Sequence, residues 1–185
     1  MSSATARMTV DEYYAITVEG DRKQLVDGAI VVNEPRLFHA VLQSRLHSAL
    51  SAWIAEGDGR GIVTFPTDVR IDDHNLYGPD LIWLAEEHRQ PVREDRLRRI
   101  PDLCVEIRSA GTWRHDLGAK TRGYERAGLP ELWLVDDRDD RVLVRRRSPP
   151  GAPRFDVTLE LGVGDTLASP QLPGFALPLA RLFAD

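Results

Sequence analysis

Between Asp102 and Asp136 the chain switches from strand to helix patterning and back, which leaves few folds open. Asp102-Leu-Cys-Val-Glu-Ile-Arg108 sets Leu103, Val105 and Ile107 on one face of a strand and Asp102, Cys104, Glu106 and Arg108 on the other. A helix is expected from about Trp113 to Ala127, closed by Gly128 and by Pro130 two residues beyond it. Glu131-Leu-Trp-Leu-Val-Asp136 is then almost wholly apolar, as suits a strand in a sheet covered on both faces. The helix must fold back across the sheet to join these strands. The expected architecture is mixed α/β, a central sheet flanked by helices, in one domain over residues 1–185.

The flanking segments fit this frame. Met8 to Ile16 reads as a short amphipathic helix with Thr9 and Glu12 in capping-box spacing. Two apolar runs between Gln24 and Val32 enclose Asp27-Gly28, a strong signal for a two-residue hairpin. From Leu37 to about Glu56, Val41, Leu42, Leu46, Ala49, Leu50, Trp53 and Ile54 recur at helical spacing until Gly57 and Gly59. Three short strands are expected at 61–65, 67–71 and 79–84, with Asp72 to Asn75 as a turn. Glu86 to Arg99 reads as a polar loop with a turn of helix. Val142–Arg147 and Phe155–Leu161 read as further strands, followed by a tail broken by Pro170, Pro173 and Pro178.

Composition narrows the function classes. No apolar run nears the ~18 residues of a membrane span, and Met1 to Thr9 lacks a signal-peptide core, so a cytoplasmic protein is expected. The single cysteine, Cys104, excludes an internal disulfide and a multi-thiolate zinc site. With 24 basic and 29 acidic residues, net −5, the chain is unsuited to holding nucleic acid by bulk charge, which leaves room for a local basic groove. Only Lys23 and Lys120 among those 24 are lysines, so Lys120 stands out where arginine is the usual choice.

Three polar features carry the chemistry: Asp80 after Pro79, Glu106 inside an apolar strand, and Asp116, Lys120 and Tyr124, whose spacing of four puts them on one helix face. A carboxylate between Val105 and Ile107 is desolvated, which is costly unless it is paired or binds a metal. Carboxylates converging from neighbouring strands beside a lysine are what metal-assisted phosphodiester hydrolysis requires. The competing structural reading makes Asp80 a turn cap, pairs Glu106 with Arg108 or Arg70, and leaves Lys120 bonded to Asp116 on a solvated helix. Cys104 reads as an inert buried thiol, and Trp113 and Trp133 as core. Arg145 to Arg147 would be split between the two faces of an edge strand.

The ordered set also resembles a known family. Gln24-Leu-Val-Asp-Gly, His39, Thr67-Asp-Val-Arg-Ile, Pro79-Asp80-Leu, Pro101-Asp-Leu-Cys-Val-Glu106-Ile and Asp116-x3-Lys120-x3-Tyr124-x3-Gly128-x2-Glu131-x-Trp133-x2-Asp136 are similar to the Uma-two family. The likeness continues through Gly164-Asp-Thr-Leu and Leu172-Pro-Gly-Phe. That large bacterial family of restriction-type endonucleases has the PD-(D/E)XK nuclease fold. The resemblance implies a magnesium-dependent nuclease core, with manganese as a substitute, in which Asp80 and Glu106 bind the metal. Arg108 occupies the usual lysine position, and the resemblance assigns that role to Lys120 on the following helix. Gln24, His39, Asp116 and Tyr124 would support the site. The family commonly has glutamate in place of Gln24 and Pro-Ser in place of Ala110-Gly111.

The implied activity is hydrolysis of phosphodiester bonds in DNA, with a homodimer as the arrangement for cutting two strands. The alternative is a catalytically inactive nuclease-fold protein acting as a binding or structural module, which Gln24 and the acidic net charge favour. A hydrolase of RNA or of another phosphate ester is a third expectation.

Overall fold

The computed structural model describes residues 7–17, 23–94, 96–149 and 151–185. Helix α1 (Val10–Ile16) starts at Thr9, whose N–H donates to the Glu12 carboxylate at 2.8 Å while the Thr9 hydroxyl accepts from the Glu12 N–H, a full capping box. Strands β1 (Lys23–Val26) and β2 (Ala29–Val32) form the expected hairpin. Asp27 and Gly28 both take positive φ, 50° and 75°, the type I′ geometry whose twist matches paired strands. Helix α2 (Leu37–Ala55) follows the apolar spacing and buries Leu42, Leu46, Leu50 and Trp53.

Strands β3 (Ile62–Thr64), β4 (Val69–Asp72) and β6 (Leu81–Leu84) match the three expected between 61 and 84. A fourth, β5 (Asn75–Tyr77), begins at the last residue of the anticipated turn and pairs with both β4 and β1. The expected central mixed sheet is present, and a second, smaller sheet accompanies it. The hairpin joins β5 and β4 in an antiparallel sheet of order β2-β1-β5-β4, separate from a six-stranded sheet of order β10-β9-β8-β7-β6-β3.

The larger sheet is built around β7 (Leu103–Ile107) and β8 (Glu131–Asp136), its one parallel pair. Every residue of both strands is buried. Strands β9 (Arg141–Arg146) and β10 (Val157–Leu161) extend one side of it. The crossover between β7 and β8 is one continuous helix in three parts: α3 (Trp113–His115), a π-helical turn (Asp116–Lys120) and α4 (Thr121–Ala127). The tail forms a small hairpin, β11 (Thr166–Leu167) with β12 (Leu177–Pro178), and helix α5 (Leu179–Leu182).

The alternation in β7 divides the core as its sequence implies. Leu103, Val105 and Ile107 pack with Trp133, Val135, α2 and the tail residues Phe175, Leu179 and Leu182. Cys104, on the other face, packs with Leu132, Leu134, Tyr124 and Leu129, and with Val26, Val69 and Tyr77 of the smaller sheet. Val10 and Tyr13 of α1 cover the smaller sheet through Leu25 and Leu76. No helix among the described residues is long and apolar enough to cross a membrane.

Candidate active site

Strands β6 and β7 run antiparallel with Leu81 opposite Val105, and one step further along the two chains stand Asp80 and Glu106. The Asp80 side chain closes that gap: its Oδ2 accepts a hydrogen bond from the Ile107 N–H at 2.6 Å. Helix α2 holds Asp80 from the other side with two residues one turn apart. His39 Nε2 lies 3.2 Å from Asp80 Oδ1, and the Gln43 amide donates to the Asp80 main-chain carbonyl at 2.8 Å. Burial opposes charge on the imidazole, but the adjacent Asp80 carboxylate outweighs it and raises the His39 pKa.

Glu106 points from β7 toward the crossover helix. Its Oε1 lies 2.6 Å from Lys120 Nζ and accepts a hydrogen bond from the Tyr124 hydroxyl at 2.6 Å. Lys120 Nζ lies a further 2.9 Å from Asp116 Oδ1, and the Thr112 hydroxyl donates to Asp116 Oδ2 at 2.8 Å. The ammonium also sits 5.6 Å from the centre of the Tyr77 ring, whose neighbour Tyr124 meets it edge-on. Lys120 is wholly buried, and Asp80 and Glu106 are each 3% exposed, so the solvated-lysine reading gives way to a buried ion-pair network.

The π-turn shapes this arrangement. Asp116 and Lys120 are its first and last residues, and Tyr124 lies one turn on, so three polar groups project to one side where the helix passes β7. Close packing supports it: a Cβ at Gly123 would fall 2.3 Å from the Tyr77 hydroxyl oxygen, so only glycine allows the helix to approach β5 this nearly. Burial pushes Glu106 up to about 8, with Lys120 pulling it down and the Asp116 and Asp80 charges pushing it higher. Lys120 is raised, because the two carboxylates outweigh the cost of burying its charge.

The other anticipated residues fall into two groups. Gln24 and His39, with Asp80, line a cleft of about 1060 Å³ between the smaller sheet and α2. The Gln24 amide oxygen accepts from the Gly78 N–H at 3.2 Å, fastening β1 to the segment that leads into Pro79-Asp80. Glu106, Asp116, Lys120 and Tyr124 lie together and outside the cleft's lining. Glu106 pairs with neither Arg108 nor Arg70: one guanidinium nitrogen of Arg108, Nη1, donates to both Asp136 oxygens at 2.7 and 2.8 Å, and Arg70 bonds Asp11 and Asp73. Sequence patterning missed Gln43, Thr112 and Tyr77. Gln43 carried a detectable signal, since it stands four residues after His39 on the same helix face.

The donor set suits a hard divalent cation. Glu106 and Asp116 are buried against the Lys120 ammonium and Asp80 against the His39 imidazole, so three carboxyl groups share a small, dry volume, an oxygen-rich set of the kind hard cations bind. Asp80 and Glu106, opposite each other at the ends of neighbouring strands, are the two that would hold the ion. No set of three or more His, Cys, Asp or Glu side chains converges as a metal cage among the described residues. Magnesium needs none, being commonly held by one or two carboxylates with water and substrate phosphate completing its shell.

The crystal structure of a "putative nuclease belonging to DUF820" from Anabaena variabilis ATCC 29413 superposes with a TM-score of 0.80, covering 96% of this chain and 98% of that one. Identity is 17%, so this likeness shows a shared fold. The family model described as "Putative restriction endonuclease", Uma2, matches residues 10–180, and the chain belongs to that family. Among curated proteins none matches the sequence.

Proposed function

We propose that this protein is a divalent-metal-dependent endonuclease hydrolysing phosphodiester bonds in DNA, with Mg²⁺ on Asp80 and Glu106 and Mn²⁺ as a substitute. One observation carries the reading: Asp80 is tied to the strand of Glu106 at 2.6 Å while the Lys120 ammonium lies 2.6 Å from Glu106. A divalent cation held by the pair supplies Lewis-acid polarisation of the phosphoryl oxygen and makes a coordinated water more acidic.

The chain's own residues do the rest. Lys120, kept protonated by its two carboxylates, places a fixed positive charge where negative charge develops on the phosphate. Asp116 and Thr112 hold Lys120 at its post, and the Tyr124 hydroxyl fixes the Glu106 rotamer. His39 and Gln43 orient Asp80 from α2. Burial of the carboxylates excludes competing water and strengthens each charge interaction.

The test is nicking of supercoiled plasmid with Mg²⁺ or Mn²⁺ by wild type and by Glu106→Gln prepared identically. Nicking that vanishes in the variant and in EDTA supports the assignment; equal nicking by both proteins refutes it. The inactive-scaffold reading rests on Glu106 Oε1 being already occupied by Lys120 and Tyr124. It is separated by Ca²⁺ or Mg²⁺ raising the melting temperature of wild type and not of Asp80→Asn, since only a protein that binds the ion in its folded state gains stability from it.

A further inference from the structure

The cleft that leads to Asp80 has walls of a particular kind. Phe65 stands at its rim, 49% exposed, with its face stacked on His47 at 4.2 Å between ring centres and 14° between planes. An exposed phenyl already oriented by a stacked partner is a preformed platform. Across the cleft the Arg96 guanidinium lies 3.9 Å over the Tyr14 ring, and Arg36 lies on the α2 side. The lining also includes Gln24, bonded to the Gly78 N–H, and Gln43, bonded to the Asp80 carbonyl.

Aromatic faces that take any base, guanidinium groups that follow phosphates, and a groove rather than a flat surface are the features by which proteins hold single-stranded nucleic acid. The cleft, about 1060 Å³ and open along one side, has room for several nucleotides. A duplex is a rigid, convex rod carrying its phosphates on the outside, and Asp80, 3% exposed, lies in the wall of a concave cleft with Glu106 opposite it on the next strand. A single strand can be drawn down to them.

We propose that this cleft takes a single strand of DNA, with Phe65 as the base-stacking platform and Arg36 and the Tyr14-seated Arg96 on the backbone. The proposal deepens the nuclease reading and rests on it for the choice of ligand. The strand runs past His39 and Gln24 toward Asp80, so the preferred substrates are single strands, flaps and locally melted duplex, not intact double helix.

The experiment is fluorescence anisotropy with a dye-labelled oligothymidylate and a duplex of equal length, in Ca²⁺ to separate binding from cleavage. The single strand is expected to bind at least about tenfold tighter, and Phe65→Ala to weaken it by roughly 5- to 150-fold, the range for loss of one stacked base. Phe65 is a rim residue, so this variant is expected to keep the wild-type melting temperature, which is checked in parallel. Arg96→Ala is the second probe and is expected to flatten the salt dependence of binding. Equal or tighter duplex binding, no binding of either, or an unaltered Phe65→Ala overturns the proposal. Single-strand binding without Glu106-dependent cleavage retains the cleft assignment and sinks the nuclease reading; Glu106-dependent cleavage of intact duplex without single-strand binding does the reverse.

Discussion

Replacing Lys120 by methionine removes the charge of a wholly buried side chain while keeping nearly its volume. The ammonium lies 2.6 Å from Glu106 and 2.9 Å from Asp116, carboxylates that are themselves buried. Removing one partner from a buried ion pair costs about 3–5 kcal/mol, because the other charge is left uncompensated. For a chain of 185 residues, where 1 kcal/mol moves the melting temperature by about 2–4 °C, Lys120→Met is expected to melt roughly 6–20 °C below wild type. The loss depends on pH in a defined direction. Glu106 is held at about 8 in the folded protein, above the usual 4.5, even with Lys120 pulling it down, and without that charge it rises further. A carboxyl group whose folded pKa is raised contributes its full stability below the unfolded pKa and loses it as pH climbs through the folded value. The variant, more strongly raised, loses more. The deficit is therefore level from pH 5 to about 8, where Glu106 holds its proton in both folded proteins and Asp116 has lost its cation, and it grows above that toward pH 9. Urea titrations in EDTA at pH 5, 7 and 9, followed by far-UV circular dichroism, measure it. A variant within about 1 kcal/mol of wild type at pH 9, or a deficit that grows toward acid, would refute the buried network. Lys120→Met combined with Glu106→Gln should recover the part of the loss that appears above about pH 8, while the part owed to Asp116 without its partner remains.

Two further predictions test the surroundings of the site. Cys104 is wholly buried and its thiol is pushed well up by that burial, so it should resist Ellman's reagent at pH 8 in the native state and react at once in denaturant; prompt native labelling would contradict its position. Gly123→Ala forces a methyl to 2.3 Å from the Tyr77 hydroxyl oxygen, so overpacking should cost about 1–3 kcal/mol in urea unfolding, with a smaller cost in the background of Tyr77→Phe.

The elements that could be read from the sequence are those whose signal is local. Helix α2 repeats its apolar residues over nineteen positions, Asp27-Gly28 dictates its own turn, and Thr9 with Glu12 completes a cap within four residues. Strand β5 escaped because Asp72-Asp-His-Asn75 spells a turn, and because its three residues, all buried, show no alternation. The smaller sheet needs the Leu25–Leu76 pairing across some fifty residues, and nothing local announces such a contact. In the site, Asp116, Lys120 and Tyr124 could be set on one face by spacing alone. Their meeting with Glu106 followed from the crossover, and the hold of His39 and Gln43 on Asp80 did not, because it joins separate elements. Arg108 shows the opposite case: adjacent to Glu106 in sequence by two positions, it is drawn away by Asp136.

The π-turn from Asp116 to Lys120 means that chain length is itself a functional variable here. Such a turn holds one residue more than the α-helical turn it replaces, and one residue corresponds to about 100° of rotation. A relative lacking a single amino acid between Asp116 and Lys120 would spell the same acidic residues, lysine and tyrosine in the same order, yet present the ammonium to a different neighbour. Between such sequences an insertion or deletion of one codon, with no change in any of the named side chains, suffices to assemble or dismantle the charge network. Comparing gaps in this helix will therefore sort relatives that a comparison of letters groups together.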